Sequence, residues 1–133
     1  MKPNHLLIFL LIFWSCKSEE PQVLTNIEGA YIGQFYLAVP NSDFVSSDIT
    51  LTLENGRFSG TSSRSKYPAI CRGTYEIIGD EIIFTDECIW TAEFNWGLIL
   101  SGNFKFSLKD GKLSKLTRKE GENSYVYNLS KTN

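Results

Sequence analysis

The stretch Cys71-Arg72-Gly73-Thr74-Tyr75-Glu76-Ile77-Ile78-Gly79-Asp80-Glu81-Ile82-Ile83-Phe84-Thr85-Asp86-Glu87-Cys88 decides how this chain folds. Two apolar-rich runs flank Gly79-Asp80, a dipeptide suited to a two-residue hairpin turn. With the turn placed there, facing residues have numbers that sum to 159. Ile77 then meets Ile82, Tyr75 meets Phe84, Thr74 meets Thr85, Arg72 meets Glu87 and Cys71 meets Cys88. Apolar, hydroxyl and opposite-charge pairs of this kind stabilise adjacent antiparallel strands. Counting outward from 78/81, hydrogen-bonded and non-hydrogen-bonded pairs alternate, and 71/88 falls on a non-hydrogen-bonded pair. There the Cα atoms approach closely enough for a cross-strand disulfide. A disulfide closing a loop of this size contributes about 3 kcal/mol. No CxxC motif or nearby histidine accompanies the pair, so its spacing predicts a structural bridge rather than a redox or metal site.

Outward from this hairpin, short alternating runs are broken by Gly, Asn and Asp, the pattern of antiparallel strands. Residues 31–39 put Tyr31, Gly33, Phe35, Leu37 and Val39 on one face. Residues 48–54 turn Ile49, Leu51 and Leu53 inward. Asn55-Gly56 is a strong hairpin signal that sets Leu53 against Phe58 and Thr50 against Thr61, with 57–63 as the return strand. The run 98–108 places Leu98, Leu100, Gly102, Phe104, Phe106 and Leu108 on one face. Asp110-Gly111 turns the chain into 112–118, where Leu113 and Leu116 break strict alternation and predict a bulge. The last strand presents Tyr125, Tyr127 and Leu129 together. Eight sequential antiparallel strands predict an all-β fold, an up-and-down barrel whose closure removes exposed edges. A barrel of that size is either filled by side chains or holds one small ligand.

The N-terminal residues carry a different signal. After Lys2 and His5 comes an apolar run of nine residues, 6–14, followed by Ser15-Cys16. It is too short to cross a bilayer, which takes about 20 residues, and it has the anatomy of a secretory signal peptide. The ending Phe13-Trp14-Ser15-Cys16 resembles the relaxed lipobox of lipoproteins from the Bacteroidota, and Lys17-Ser18-Glu19-Glu20 resembles the acidic surface-export signal of that group. The resemblance implies a signal peptide over 1–15 and acylation of Cys16, for instance with palmitate. It also implies an outer-membrane lipid anchor, with display at the cell surface. Residues 16–28 then read as a tether and 29–133 as the barrel domain. Removing 1–15 leaves 12 basic against 15 acidic residues, a net charge of −3 that offers no nucleic acid a complementary surface. With Cys16 given to the lipid, Cys71 and Cys88 remain as an even pair in an oxidising compartment.

A second resemblance concerns the barrel. Gly29-Ala30-Tyr31 is similar to the Gly-x-Trp of lipocalin-like proteins, with Tyr in place of Trp. Thr117-Arg118 is similar to the region where such barrels set an Arg over that aromatic. The resemblance implies binding of a small apolar ligand; some members of the family inhibit proteases instead.

The mature chain has no histidine, which removes Ser-His and Cys-His arrangements and histidine metal sites. No GxSxG, P-loop or GxGxxG occurs. Asp86, Glu87 and Glu93 lie near one another in sequence, but acids on a loop are more often solvated than catalytic, so no enzyme activity, metal or cofactor is expected. The expected function is binding of a small apolar or amphipathic ligand inside the barrel of a monomer. Tyr31, Phe35, Tyr75, Phe84, Phe104 and Phe106 would form the wall, and the 86–97 connection the gate. Trp90, Phe94 and Trp96 are placed either to form a lid or stacking platform at one mouth or to plug that end as core. The alternative function is a protein- or glycan-interaction module that uses this aromatic loop, or an inhibitor-type barrel, with a filled core. Asp86 shares the inward face and needs a partner, whether a ligand group, a water or Arg118. The small inward-facing residues Gly33, Gly60, Ser62, Gly73 and Gly102 mark either open space inside or kinks where strands bend. Lys105, Lys109, Lys112, Lys115, Arg118 and Lys119 form either a patch toward anionic lipid or a solvated strand face.

Overall fold

A computed structural model describes residues 26–91 and 93–133. The expected signal peptide 1–15, Cys16 with its expected acylation, and most of the expected tether 16–28 lie outside the described residues. Eight strands run β1 (Gly29–Ala38), β2 (Ser46–Glu54), β3 (Arg57–Ser62), β4 (Arg72–Ile78), β5 (Glu81–Asp86), β6 (Gly102–Lys109), β7 (Lys112–Glu120) and β8 (Asn123–Lys131). Each pairs with the next, and β8 returns to β1, so the sheet is a closed up-and-down antiparallel barrel.

The hairpin that opened the sequence reading has the expected register, from Gly73 opposite Asp86 to Ile78 opposite Glu81. Gly79 takes a φ of 61°, which the turn requires and glycine accepts without a Cβ clash. The Cys71–Cys88 disulfide is formed, with Cα atoms 6.3 Å apart. One expected pair changes partner. Arg72 and Glu87 face each other through a backbone hydrogen bond. The Glu87 carboxylate, however, turns to Arg57 on the neighbouring strand, at 2.7 Å. Leu53 meets Phe58, and Thr50 meets Thr61 with their hydroxyls 2.7 Å apart. The bulge falls in the β6–β7 pairing, between Ser107 and Leu108.

The run 98–108 is not one strand. Trp96–Leu98 is a single 3-10 turn, capped by the Asn95 side chain, which accepts a hydrogen bond from the Gly97 N–H at 2.9 Å. β6 begins only at Gly102, whose φ of 89° breaks the chain direction. Alternation of apolar residues therefore continued across two separate segments, and Leu108 at its end is exposed.

Because successive strands reverse direction, the connections alternate between the two ends. The two-residue turns 55–56, 79–80 and 110–111 lie at the end where the described chain enters, here called the near end. The long connections 39–45, 63–71 and 87–101 all lie at the opposite, far end. Ile27, placed in the tether by sequence, is buried in the core. Its carbonyl accepts the Tyr31 hydroxyl at 2.7 Å, so it stoppers the near end. Ala69 and Ile99 form a short parallel bridge at the far end. The Ala69 N–H donates to Leu98 O at 2.8 Å and the Leu100 N–H to Ala69 O at 2.9 Å. The buried residues Leu98, Ile99, Leu100, Ala69 and Ile70 close that end.

Candidate functional site

Alternation along each strand sends one side chain in two into the barrel. Tyr31, Phe35, Phe84 and Phe104 are each at most 1% exposed, and Tyr75 and Phe106 are half-buried against the same cluster. The rings pack in sequence across the interior. Phe35 lies 4.8 Å from Tyr127, Tyr127 5.7 Å from Phe104, Phe104 5.8 Å from Phe84, and Phe84 5.2 Å from Phe58. These tilted and edge-to-face contacts fill the space with rings. Burial pushes the Tyr127 phenol far above its ordinary range, against a smaller opposing pull from the Arg118 guanidinium, so it stays neutral.

Gly33, Gly60 and Gly73 mark close approach rather than space, whereas a Cβ at Gly102 would meet only the Arg118 guanidinium, at 3.4 Å. A Cβ at Gly73 would meet Thr85 O at 1.9 Å and the Phe58 ring at 2.9 Å. At Gly60 it would meet Thr50 O at 2.3 Å and Ile70 at 2.7 Å. Neighbouring backbone and apolar groups occupy the room that absent side chains leave.

Arg118 is not placed over Tyr31. It pairs with Tyr125, which in turn pairs with Leu37, six residues along β1 from Tyr31. At 3.3 Å per residue that is about 20 Å of strand. Arg118 points inward near the far end, its guanidinium 4.5 Å from the Phe104 ring centre and 5.0 Å from that of Tyr125. It donates to Ser101 O at 2.5 Å and to Gly97 O. The Asn95 amide adds a bond to the Tyr125 hydroxyl at 3.0 Å. Arg118 therefore latches the 95–101 segment across the barrel mouth. Arg118→Met, which keeps the bulk and removes the donors, is expected to cost about 1.5–3 kcal/mol, the range for hydrogen bonds from a charged group. It should also speed hydrogen exchange at the Leu98 and Leu100 amides. Chemical denaturation and exchange measurements check this, and unchanged values would assign closure to the Ala69 bridge alone.

With Arg118 so engaged, Asp86 finds another partner. Its Oδ2 accepts the Trp90 indole N–H at 2.6 Å, while its buried Oδ1 has no hydrogen-bond partner among the described residues. Of the other acids considered, Glu87 is tied to Arg57 and Glu93 is exposed.

The structure brings Trp90, Phe94 and Trp96 together, but outside the closure rather than as its plug. Trp90 and Phe94 have ring centres 6.2 Å apart, Phe94 and Trp96 6.3 Å apart. Lys66 lies 5.1 Å over the Phe94 ring and donates to Thr91 O at 3.2 Å, which holds the 63–71 connection against this group. Trp96 is 63% exposed. Ile89, which sequence reasoning missed, is 92% exposed on the same loop. Its only signal was an aliphatic residue next to a cysteine and a tryptophan, outside any strand. Val39, Phe44 and Val45 add exposed apolar surface on the 39–45 connection, also at the far end.

The six basic residues of the last long hairpin do not form one face. Lys109 and Lys112 pair beside the near-end turn, Arg118 points inward, and Lys105, Lys115 and Lys119 are exposed on the outer wall.

No protein-family model, curated protein or solved structure matches the chain.

Proposed function

We propose that this chain is a membrane-anchored, non-catalytic interaction module, held through an acylated Cys16, that docks a partner protein on the exposed apolar surface of its far-end loops. The observation that carries the reading is the division of apolar residues. The interior rings pack against one another, while Ile89, Trp96, Phe44, Val39 and Val45 stand exposed on two loops at one end. Large exposed apolar clusters of this kind mark binding surfaces, and tryptophan is over-represented among residues that dominate binding. Aliphatic side chains beside the aromatics favour a protein partner over a glycan. A ligand inside the barrel would need the rings displaced from close contact. The direction of the chain fits as well: β1 starts at the near end, so an N-terminal anchor leaves the far end facing away from the membrane.

The test places a photo-crosslinking residue at Trp96 in the native host, with a control at Thr50, exposed on the barrel wall. A discrete, protease-sensitive adduct from position 96 alone is expected. In the unlabelled protein, Trp96→Ala should leave stability within about 0.5 kcal/mol, as for an exposed residue, and lower partner affinity at least tenfold, by roughly 1.4 kcal/mol or more. A glycosidase-sensitive adduct would make the partner a glycan. Identical patterns from 96 and 50, or none, would overturn the reading.

A further inference from the structure

A second surface lies on the outer wall of the barrel, where a groove of about 780 Å³ crosses β5, β6, β7, β8 and β1. The register builds it. Glu81 pairs with Lys105, Lys105 with Thr117, Thr117 with Val126, and Val126 with Tyr36. These side chains therefore form one row on the outer face, and Lys115 and Lys119, two residues either side of Thr117, share that face. Val126 points outward yet is only 5% exposed, so the groove has a shielded apolar floor. Tyr36 stacks on Phe44 at 4.7 Å, which fixes the ring as a wall.

The rim is cationic. Among the described residues the ion pairs are Arg57–Glu87 and Arg118–Glu120, and neither engages Lys105, Lys115 or Lys119. Glu81 is the single acid in the groove, and its carboxylate accepts the Asn103 amide at 3.3 Å. Unpaired ammonium groups therefore surround an apolar floor, in a chain whose net charge is −2. Clustered cations in a concavity raise the local concentration of anions. An apolar floor alone would suit any lipid chain, and lysines alone any polyanion. Both together suit a molecule with an anionic head and an apolar body.

We propose that this groove binds a small amphipathic anion, its phosphate or carboxylate head held by Lys105, Lys115 and Lys119 and its apolar body lying over Val126 against Tyr36. The groove adjoins the far-end surface through the Tyr36–Phe44 stack, but its lysines and Val126 lie outside that surface, and the proposal does not depend on that reading.

The test titrates the full-length protein with hexyl phosphate and with hexanoate, neither of which forms micelles at the concentrations needed, and follows backbone amide shifts. Hexanol and inorganic phosphate serve as controls. Saturable shifts centred on Thr117 and Val126 are expected for at least one anion, with affinity at least tenfold above both controls. Which anion binds more tightly decides between a phosphate and a carboxylate head. The triple variant Lys105→Gln, Lys115→Gln, Lys119→Gln alters exposed side chains only. It should bind at least tenfold more weakly with the rest of the spectrum unchanged. If it fails to fold, Lys115→Gln alone should weaken binding about threefold. The absence of saturable shifts with either anion, equal binding of hexanol or inorganic phosphate, shifts centred elsewhere, or full affinity in the lysine variants would each overturn the proposal.

Discussion

Gly33→Ala is expected to prevent stable folding. A Cβ at this position would lie 1.8 Å from Asn128 O, 2.9 Å from Asn128 C and 3.1 Å from Leu129 Cα. All three are backbone atoms of β8, the strand that closes the barrel on β1. A flexible side chain would swing away, but a strand retreats only by breaking its ladder. Overpacking against backbone exceeds the usual 1–3 kcal/mol of a crowded core, and a loss of about 4 kcal/mol or more is a large part of the 5–15 kcal/mol that holds a domain together. Thermal melting and yield of folded protein measure it. A variant that melts near the parent temperature would mean β8 has slack at Asn128.

Phe84→Ala should be the most costly truncation in the interior, at about 3–5 kcal/mol. Phe84 is 1% exposed and sits between Phe58 at 5.2 Å, Phe104 at 5.8 Å and Tyr75 at 6.5 Å. Removing the ring opens a hole lined by other rings, and engineered apolar holes of this kind stay dry and accept benzene. Benzene or indole should therefore raise the melting temperature of Phe84→Ala and leave the parent protein unmoved. A loss below about 1 kcal/mol would mean the parent barrel already has room at its centre, and would return the argument to a ligand inside it.

The hairpin about Gly79-Asp80, its disulfide, the Asn55-Gly56 register and the bulge near Leu113 were all legible because each rests on residues close in sequence. What failed was non-local. Leu98 and Leu100 alternate with Phe104 and Phe106 as though on one strand. The break at Gly102 and the bridge to Ala69 depend on a segment some thirty residues away. The glycines at 33, 60 and 73 are equally consistent with space or contact until the opposing carbonyl is known. Arg118 was expected over Tyr31 or beside Asp86, and the structure gives it neither partner. Its inward direction depends on how the bulge resets the register, and its partners Gly97 and Ser101 lie on another connection. The aromatic loop was visible as a cluster of Trp90, Phe94 and Trp96. That Leu98 and Leu100 would seal the end and leave Trp96 outside was not, because side chains compete for burial in three dimensions.

The pairing of β1 with β8 also sets a schedule. The two strands share eight residue pairs, and the Thr132 amide still donates to Ala30 O at 2.8 Å beyond them. A polypeptide is synthesised from its N-terminus, so β1 emerges long before its second neighbour. Until the nine residues of β8 follow, the sheet is a ribbon with two unsatisfied edges, β1 and β7. Such edges recruit other chains, and closing a loop that spans the whole domain is slow. The last strand is thus what separates a closed barrel from a sticky intermediate. During synthesis, the hazard for this protein lies in the interval before its last strand arrives.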